Sequence, residues 1–234
     1  MFCIKLAGIP IGIDNRYAYV RRLCAGYETS GRPAFTVRAS EREIRAEQGG
    51  QAGPSRGYCE SLCLYRQICR RLPFYDAFLM HASVVAVDGE AYAFAAPSGT
   101  GKTTHTRLWL QQFGSRAQVV NGDKPVFRFM DGTLYACGTP WRGKEGLGSN
   151  IMRPVRAICF LEQSPTNSIR PLGGDEVCRR IFHQLLFPAS EQELDRLWPL
   201  LERLLAGTAF YLLQCNREPE AAQLAYESMR RKKC

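Results

Sequence analysis

One stretch, "FAAPSGTGKTTH" over residues 94–105, limits what this chain can fold into more than any other. The apolar run "AYAFAA" leads into Gly99 and Gly101, and Lys102-Thr103-Thr104 open a segment of helical character that ends at Gly114. Glycines permit the backbone to turn so that successive N–H groups converge, and the helix start behind them adds partial positive charge. A strand, a glycine loop and a helix in that order form a cradle for phosphate. Lys102 supplies charge for β- and γ-phosphates, and Thr103 supplies a hydroxyl for Mg²⁺. A tight turn with an exposed lysine accounts for the glycines but not for Lys-Thr at a helix start after an apolar strand. The pattern G-x-x-x-x-G-K-[ST] asks for glycine where this chain has Ala96. That first glycine eases the exit from the strand, whereas the cradle depends on Gly99 and Gly101, so nucleotide binding is the expectation.

The neighbouring pattern is of strands joined by tight turns. Asp88-Gly89 separates "HASVVAV" from "AYAFAA", and Asp131-Gly132 separates "VFRFM" from "TLYAC". Asp-Gly between apolar runs is a hairpin signal, so the sheet is expected to be mixed rather than all parallel. "AQVVN", "VRAICFLE" and "TAFYLLQ" read as further strands. Ser40 with Glu43 and Ser190 with Glu193 read as capping boxes, Pro199 is expected to bend the second of those helices, and a last helix starts near Pro219. Nearer the N-terminus, "FCIKLAG", "YAYV" and "FTVR" read as short strands, and "QGGQAGPSRG" as a loop. Tyr58, Leu62, Tyr65, Cys69 and Leu72 recur at helical spacing up to Pro73, as a buried helix face does.

Composition closes other routes. With 45% hydrophobic and 23% charged residues the chain is globular in type rather than disordered. No apolar run approaches the roughly 20 residues of a membrane helix. The start "MFCIKLAGIPIGID" lacks a signal-peptide pattern and reads as the first strand of a cytoplasmic protein. The net charge of +9 suits nucleotide phosphates or an acidic peptide, but no nucleic-acid-binding signature accompanies it, and the final "RRKKC" reads as a solvated tail. Ten cysteines without a C-x-x-C, beside only three histidines, read as reduced thiols filling small apolar sites.

Ser98 before the middle glycine gives x-x-S-G-x-G-K-[ST], which resembles the loops of phosphoenolpyruvate carboxykinase and of HPr kinase/phosphorylase. In HPr kinases a His precedes a strand–turn–strand unit that delivers the chain to the loop, and His81 stands in that place. "VVNGDKP" lies where those kinases carry an Asp-Asp pair, and "WRGKEGLGSN" is similar to their Arg- and Gly-rich segment, followed by an apolar strand ending in Glu162. The nearest likeness is to small stand-alone HPr-kinase-like proteins, among them kinases of ribosomal peptides. It is strong from about residue 76 to 163 and weak at both ends.

The resemblance implies an α/β fold. A P-loop core of the HPr kinase/carboxykinase type would occupy residues 76–234, and a small α+β region residues 1–75. It implies that Ser98, Gly99, Thr100, Gly101, Lys102, Thr103 and Thr104 cradle the triphosphate of ATP. Thr103 and Asp123 would hold Mg²⁺, and His81 would lie near the transferred phosphoryl group. Arg142 and Lys144 would contact phosphate or acceptor. Read without the resemblance, His81 is a polar cap on a strand, Arg142 and Lys144 are solvated charges, and His105, Trp109 and Trp141 are packing residues. The implied activity is ATP-dependent phosphorylation, with a Ser or Thr hydroxyl of a small protein or peptide as the acceptor; a small-molecule kinase is a further reading. Carboxykinase activity is disfavoured by the short chain and the lack of a traceable oxaloacetate set. No counterpart of the hexamer interface of HPr kinases is evident, which leaves a monomer or dimer. The departure is Gly122, which replaces the family's proton-accepting Asp. It raises the alternative of a nucleotide-binding pseudokinase, and predicts that Gly122→Asp increases phosphoryl transfer.

Overall fold

β1 (Phe2–Leu6) turns back on β2 (Ile9–Asp14), and β3 (Phe35–Arg38) lies parallel to β2, giving a small sheet backed by Ile4, Leu6, Ile11, Ile13 and Val37. These coordinates are a computed structural model that describes residues 1–50 and 53–231. Residues 51–52, inside the expected Gly-rich loop, and 232–234, the end of the basic tail, lie outside the described residues.

"YAYV", expected as a strand, instead opens the helix α1 (Ala18–Leu23). No local side chain caps this helix. The cap is instead on the residues that lead into the helix: Glu60, fully buried, accepts the N–H groups of Arg16 at 2.6 Å and Tyr17 at 2.9 Å. A partner more than forty residues away overrides the local strand pattern. Glu60→Ala is therefore expected to lower the unfolding free energy by about 2–3 kcal/mol, because two part-buried donors lose a charge-assisted acceptor. Urea denaturation measures this, and an unchanged midpoint would remove the cap from the account.

α2 (Glu41–Gln48) starts at the Ser40–Glu43 capping box, as expected. α3 (Arg56–Arg71) follows from Ser55, and a 3₁₀ turn carries the chain over Pro73. Its buried face includes Leu64, Tyr65, Ile68 and Cys69, but Tyr58, expected on that face, is 41% exposed. The face rotates at the first turn because α1 crosses there. A Cβ at Gly57 would stand 2.6 Å from the Cβ of Tyr19.

The second sheet takes β4 (Ala77–Leu79), β5 (Ser83–Val87) and β6 (Glu90–Ala95) before α4 (Lys102–Phe113), then β7 (Ala117–Asn121), β8 (Val126–Met130) and β9 (Thr133–Cys137). The long β10 (Met152–Gln163), β11 (Ser168–Pro171), α5 (Gly174–Ile181), α6 (Glu191–Gly207), β12 (Ala209–Cys215) and α7 (Glu220–Met229) complete the chain. The strand order is β4-β8-β9-β10-β6-β5-β7, with β12 beside β10 and β11 beside β12. Both Asp-Gly turns form, with positive φ at Asp88, Gly89, Asp131 and Gly132, and the hairpins they close are antiparallel. β10 runs parallel to β6 and β12, so the sheet is mixed and the fold α/β. The last strand read from sequence forms as β12, but β11 was not anticipated, being short and largely exposed.

Helices cover both faces. Val84, Ala86, Ala93, Ala95, Ile158 and Phe160 meet α5 and α6, while Val85, Val87, Tyr92, Phe94, Cys159 and Leu161 meet α4 and α7. Strands buried on both sides read as continuous apolar runs, which is how these appear in the sequence. Six cysteines, at 24, 59, 63, 69, 137 and 159, are buried core residues. α6 continues through Pro199 as one element. Among the described residues no helix is long and apolar enough to cross a membrane.

The two sheets meet through the segment after β9. Trp141 stacks on Tyr65 with ring centroids 4.1 Å apart and its indole N–H donates to the Ser61 carbonyl at 3.1 Å. The Tyr65 hydroxyl donates to the Lys124 carbonyl at 2.8 Å. Trp141 is thus a packing residue that ties α3 to the chain around Asp123.

Candidate functional site

β6 delivers the chain to Ala96, whose methyl belongs to the core beneath α4. An alanine here fills a core position that a glycine would leave open. Gly99 and Gly101 adopt φ of +83° and +116°, the left-handed region that favours glycine. Gly101 precedes α4 without a side-chain cap, so the first N–H groups of the helix are left for an anion. Lys102 is 8% exposed, and its ammonium donates to the carbonyls of Ala96 at 2.7 Å and Pro97 at 3.3 Å. Burial pushes its pKa down, with Asp123 pulling the other way and Lys124 adding to the depression. The helix start is fixed to β5, since Thr106 Oγ1 lies 2.6 Å from Ser83 Oγ and donates to the Lys102 carbonyl.

The facing wall begins where β7 ends. Asn121 is fully buried; its Oδ1 accepts the N–H groups of Asp123 at 2.9 Å and Lys124 at 2.7 Å. Its Nδ2 donates to Thr139 Oγ1 at 2.9 Å, so one side chain shapes the turn and anchors it to the segment leading to Trp141. Sequence reading passed over Asn121, although Asn two residues before an Asp is a common device for closing a turn on its own backbone. Asp123 Oδ1 lies 3.0 Å from Nε2 of His81, and Oδ2 pairs with Lys124. A carboxylate only accepts, which assigns the Nε2 proton to His81. Burial pushes the Asp123 carboxyl up, but His81 and Lys124 outweigh it and hold the group well below the usual carboxylate range.

The segment from Arg142 to Gly148 closes over this wall. Gly143, at φ +71°, stands where a Cβ would meet the Asp123 Cβ at 2.8 Å. The N–H of Gly122 donates to the Leu147 carbonyl at 2.9 Å. A Cβ at Gly122 would meet that carbonyl oxygen at 3.2 Å and the Leu147 Cβ at 3.3 Å. Gly122 is thus the seat of Leu147.

One cleft of about 1150 Å³ gathers His81, Asp123, Arg142, Lys144 and the loop residues Ser98, Gly99, Gly101, Lys102, Thr103 and Thr104. Thr100 faces away from it, and its carbonyl accepts Gln163 Nε2 at 3.1 Å. The Arg142 guanidinium lies 5.9 Å over the ring of Tyr27, and Lys144 is exposed at the rim. His105 and Trp109 are core residues: the indole donates to His105 Nε2 at 2.9 Å, and burial pushes the imidazole down to about 3.

No known family profile matches the chain, and no curated protein does. Among solved structures it is similar to the HPr(Ser) kinase/phosphatase from Coxiella burnetii, at TM-score 0.32 and 14% identity, over 54% of this chain and 96% of that one. The overlap is too loose to carry an activity across.

The donor set bears on which cation fits. Among the described residues no group of three or more His, Cys, Asp or Glu side chains gathers to hold a metal ion. A cation beside the loop would draw on the Thr103 hydroxyl and Asp123 and complete its shell with phosphate oxygens and water. That arrangement suits Mg²⁺ rather than a metal needing an all-protein cage.

Proposed function

We propose that the protein is an ATP-dependent phosphotransferase that phosphorylates a Ser or Thr hydroxyl of a small protein or peptide, with Mg²⁺ as cofactor. One observation carries this reading: the uncapped start of α4, with Gly99 and Gly101 in left-handed backbone, opens into the same cleft as the His81–Asp123 pair. The loop N–H groups and Lys102 hold the β- and γ-phosphates. Thr103 and Asp123 would hold Mg²⁺ there, which would supply neutralisation of charge on the phosphate oxygens. The acceptor oxygen bonds to the γ-phosphorus, the bond to the β–γ bridging oxygen breaks, and ADP leaves. Asp123, held strongly acidic, suits charge stabilisation and is a poor proton acceptor. The hydroxyl proton passes to His81, whose orientation Asp123 fixes.

The alternative is a nucleotide-binding pseudokinase, favoured by Gly122, where Leu147 sits in place of a carboxylate. The expected gain from Gly122→Asp is revised by that contact. The obstruction is the Leu147 carbonyl and Cβ, which shortening Leu147 to Ala does not remove. Gly122→Asp is expected to destabilise by about 1–3 kcal/mol through overpacking and to give no gain in transfer. Chemical denaturation and ATP turnover measure both, and a faster, undiminished variant would contradict the seating of Leu147. γ-Labelled ATP supplied with a cell extract or peptides from neighbouring genes separates the two readings. A labelled peptide supports the phosphotransferase; Mg-ATP binding without label supports the pseudokinase.

A further inference from the structure

The N-terminal helices supply a wall of the same cleft. Tyr19 and Arg22 of α1 and Tyr58 and Leu62 of α3 line it, together with Asp123, Arg142 and Lys144. Of the large hydrophobic side chains exposed among the described residues, Tyr58 alone lines this cleft. It meets Tyr19 edge to face, with centroids 6.2 Å apart and planes at 79°, an aromatic corner held in place by the close crossing at Gly57. The carboxylates of the cleft are already engaged: Asp123 with His81 and Lys124, Glu145 with Arg107 of α4. Arg22 and Lys144 are exposed, and among the described residues no ion pair engages either. The cleft therefore combines uncompensated positive charge with an accessible aromatic surface.

Its volume of about 1150 Å³ also exceeds the roughly 300–1,000 Å³ of a usual small-ligand pocket, which leaves room beside a triphosphate. A small acidic metabolite would use the cations and leave the tyrosine corner idle. An extended peptide would use both, because its side chains fall at separated positions.

We propose that α1 and the first turn of α3 form the acceptor-reading wall. They would select a peptide whose target hydroxyl is flanked by an acidic residue, facing Arg22 and Lys144, and by an aromatic residue, facing Tyr19 and Tyr58. This rests on the phosphotransferase reading above and adds the substrate class to it. Carboxylate to guanidinium or ammonium sets position and partner choice, and the edge-to-face tyrosines supply a stacking surface for a third ring.

The test uses the full chain, γ-labelled ATP and a library of peptides with a fixed central Ser and randomised flanks. The wild type is expected to label peptides enriched in Asp or Glu and in Phe, Tyr or Trp. Arg22→Glu should turn the charge preference towards Lys and Arg and raise KM for the best acidic peptide about tenfold, with kcat little changed. Tyr58→Ala should abolish the aromatic preference while the acidic one persists. The Mg-ATP thermal shift, which reads the phosphate loop, shows that each variant is folded. Unaltered selection in both variants overturns the proposal. So does failure of the wild type to label any peptide while Mg-ATP still binds through Lys102, an outcome that leaves the nucleotide reading standing and directs attention to small acceptors. If Mg-ATP gives no thermal shift in the wild type, the phosphotransferase reading falls and takes this proposal with it.

Discussion

Lys102→Ala is expected to abolish about half or more of the thermal stabilisation that Mg-ATP confers. A ligand present at a hundred times its Kd adds about 2.7 kcal/mol to the unfolding free energy, which for a chain of this size is a rise of about 5–10 °C in Tm. Losing a charge-assisted contact to phosphate costs about 1.5–3 kcal/mol, or roughly ten- to a hundredfold in Kd, so about half of the rise or less should survive, down to roughly a sixth at a hundredfold. A second signature separates this from general damage. Burial holds the Lys102 ammonium below its ordinary value of 10.5, against the pull of Asp123 and with some help from Lys124. The unfolded chain therefore binds that proton more tightly than the folded one. Stability contributed by this group rises as pH climbs from the lowered folded pKa towards the unfolded value. That alkaline rise should vanish in Lys102→Ala. An undiminished Mg-ATP shift in the variant would move the nucleotide site elsewhere.

Asp123→Asn carries the second large effect. Its carboxylate is the one acidic group in the cleft aligned with His81, and removing it should cost about 10²–10³-fold in phosphoryl transfer, on the scale seen when a fixed electrostatic partner of the transition state is lost. ATP binding without Mg²⁺ should be unchanged or tighter, because a negative charge leaves the neighbourhood of the phosphates; the enhancement by Mg²⁺ should be lost. The pH dependence follows from the sign of the shift. With the folded pKa held below the ordinary carboxylate value, the group contributes stability that is full above the unfolded pKa and lost as pH falls through it towards the folded one. Acid denaturation of Asp123→Asn should lack that component. Retention of the Mg²⁺ enhancement in the variant would show that the cation is held by other groups.

Local signals were legible in the sequence and long-range ones were not. The loop glycines, both Asp-Gly turns and the Ser40 cap declare themselves within a few residues, because the conformation each requires is set by its immediate neighbours. The entry to α1 is held by Glu60, far along the chain, which receives the N–H groups of Arg16 and Tyr17 just before the helix, and no window around Tyr17 contains that carboxyl. Tyr58 sits at the right spacing for the buried stripe of α3 but is displaced from it by a crossing helix. At the site, the residue types were readable, while the seat of Leu147 on Gly122 and the bracing by Asn121 depend on which segments meet across the sheet.

The Tyr65–Trp141 stack has a consequence for shortening the chain. A fragment starting after the 3₁₀ turn at Pro73 would lose the carbonyl that receives the Trp141 indole and the hydroxyl that binds the Lys124 carbonyl. It would also bare Val126 and Cys137, which share the core of the first sheet. The two Asp-Gly hairpins would survive such a cut, but Asp123 would stand on an unsupported turn. The first seventy-odd residues thus act as a buttress for the acidic side of the cleft, and the protein is not divisible into a self-standing cleft half and a spare one.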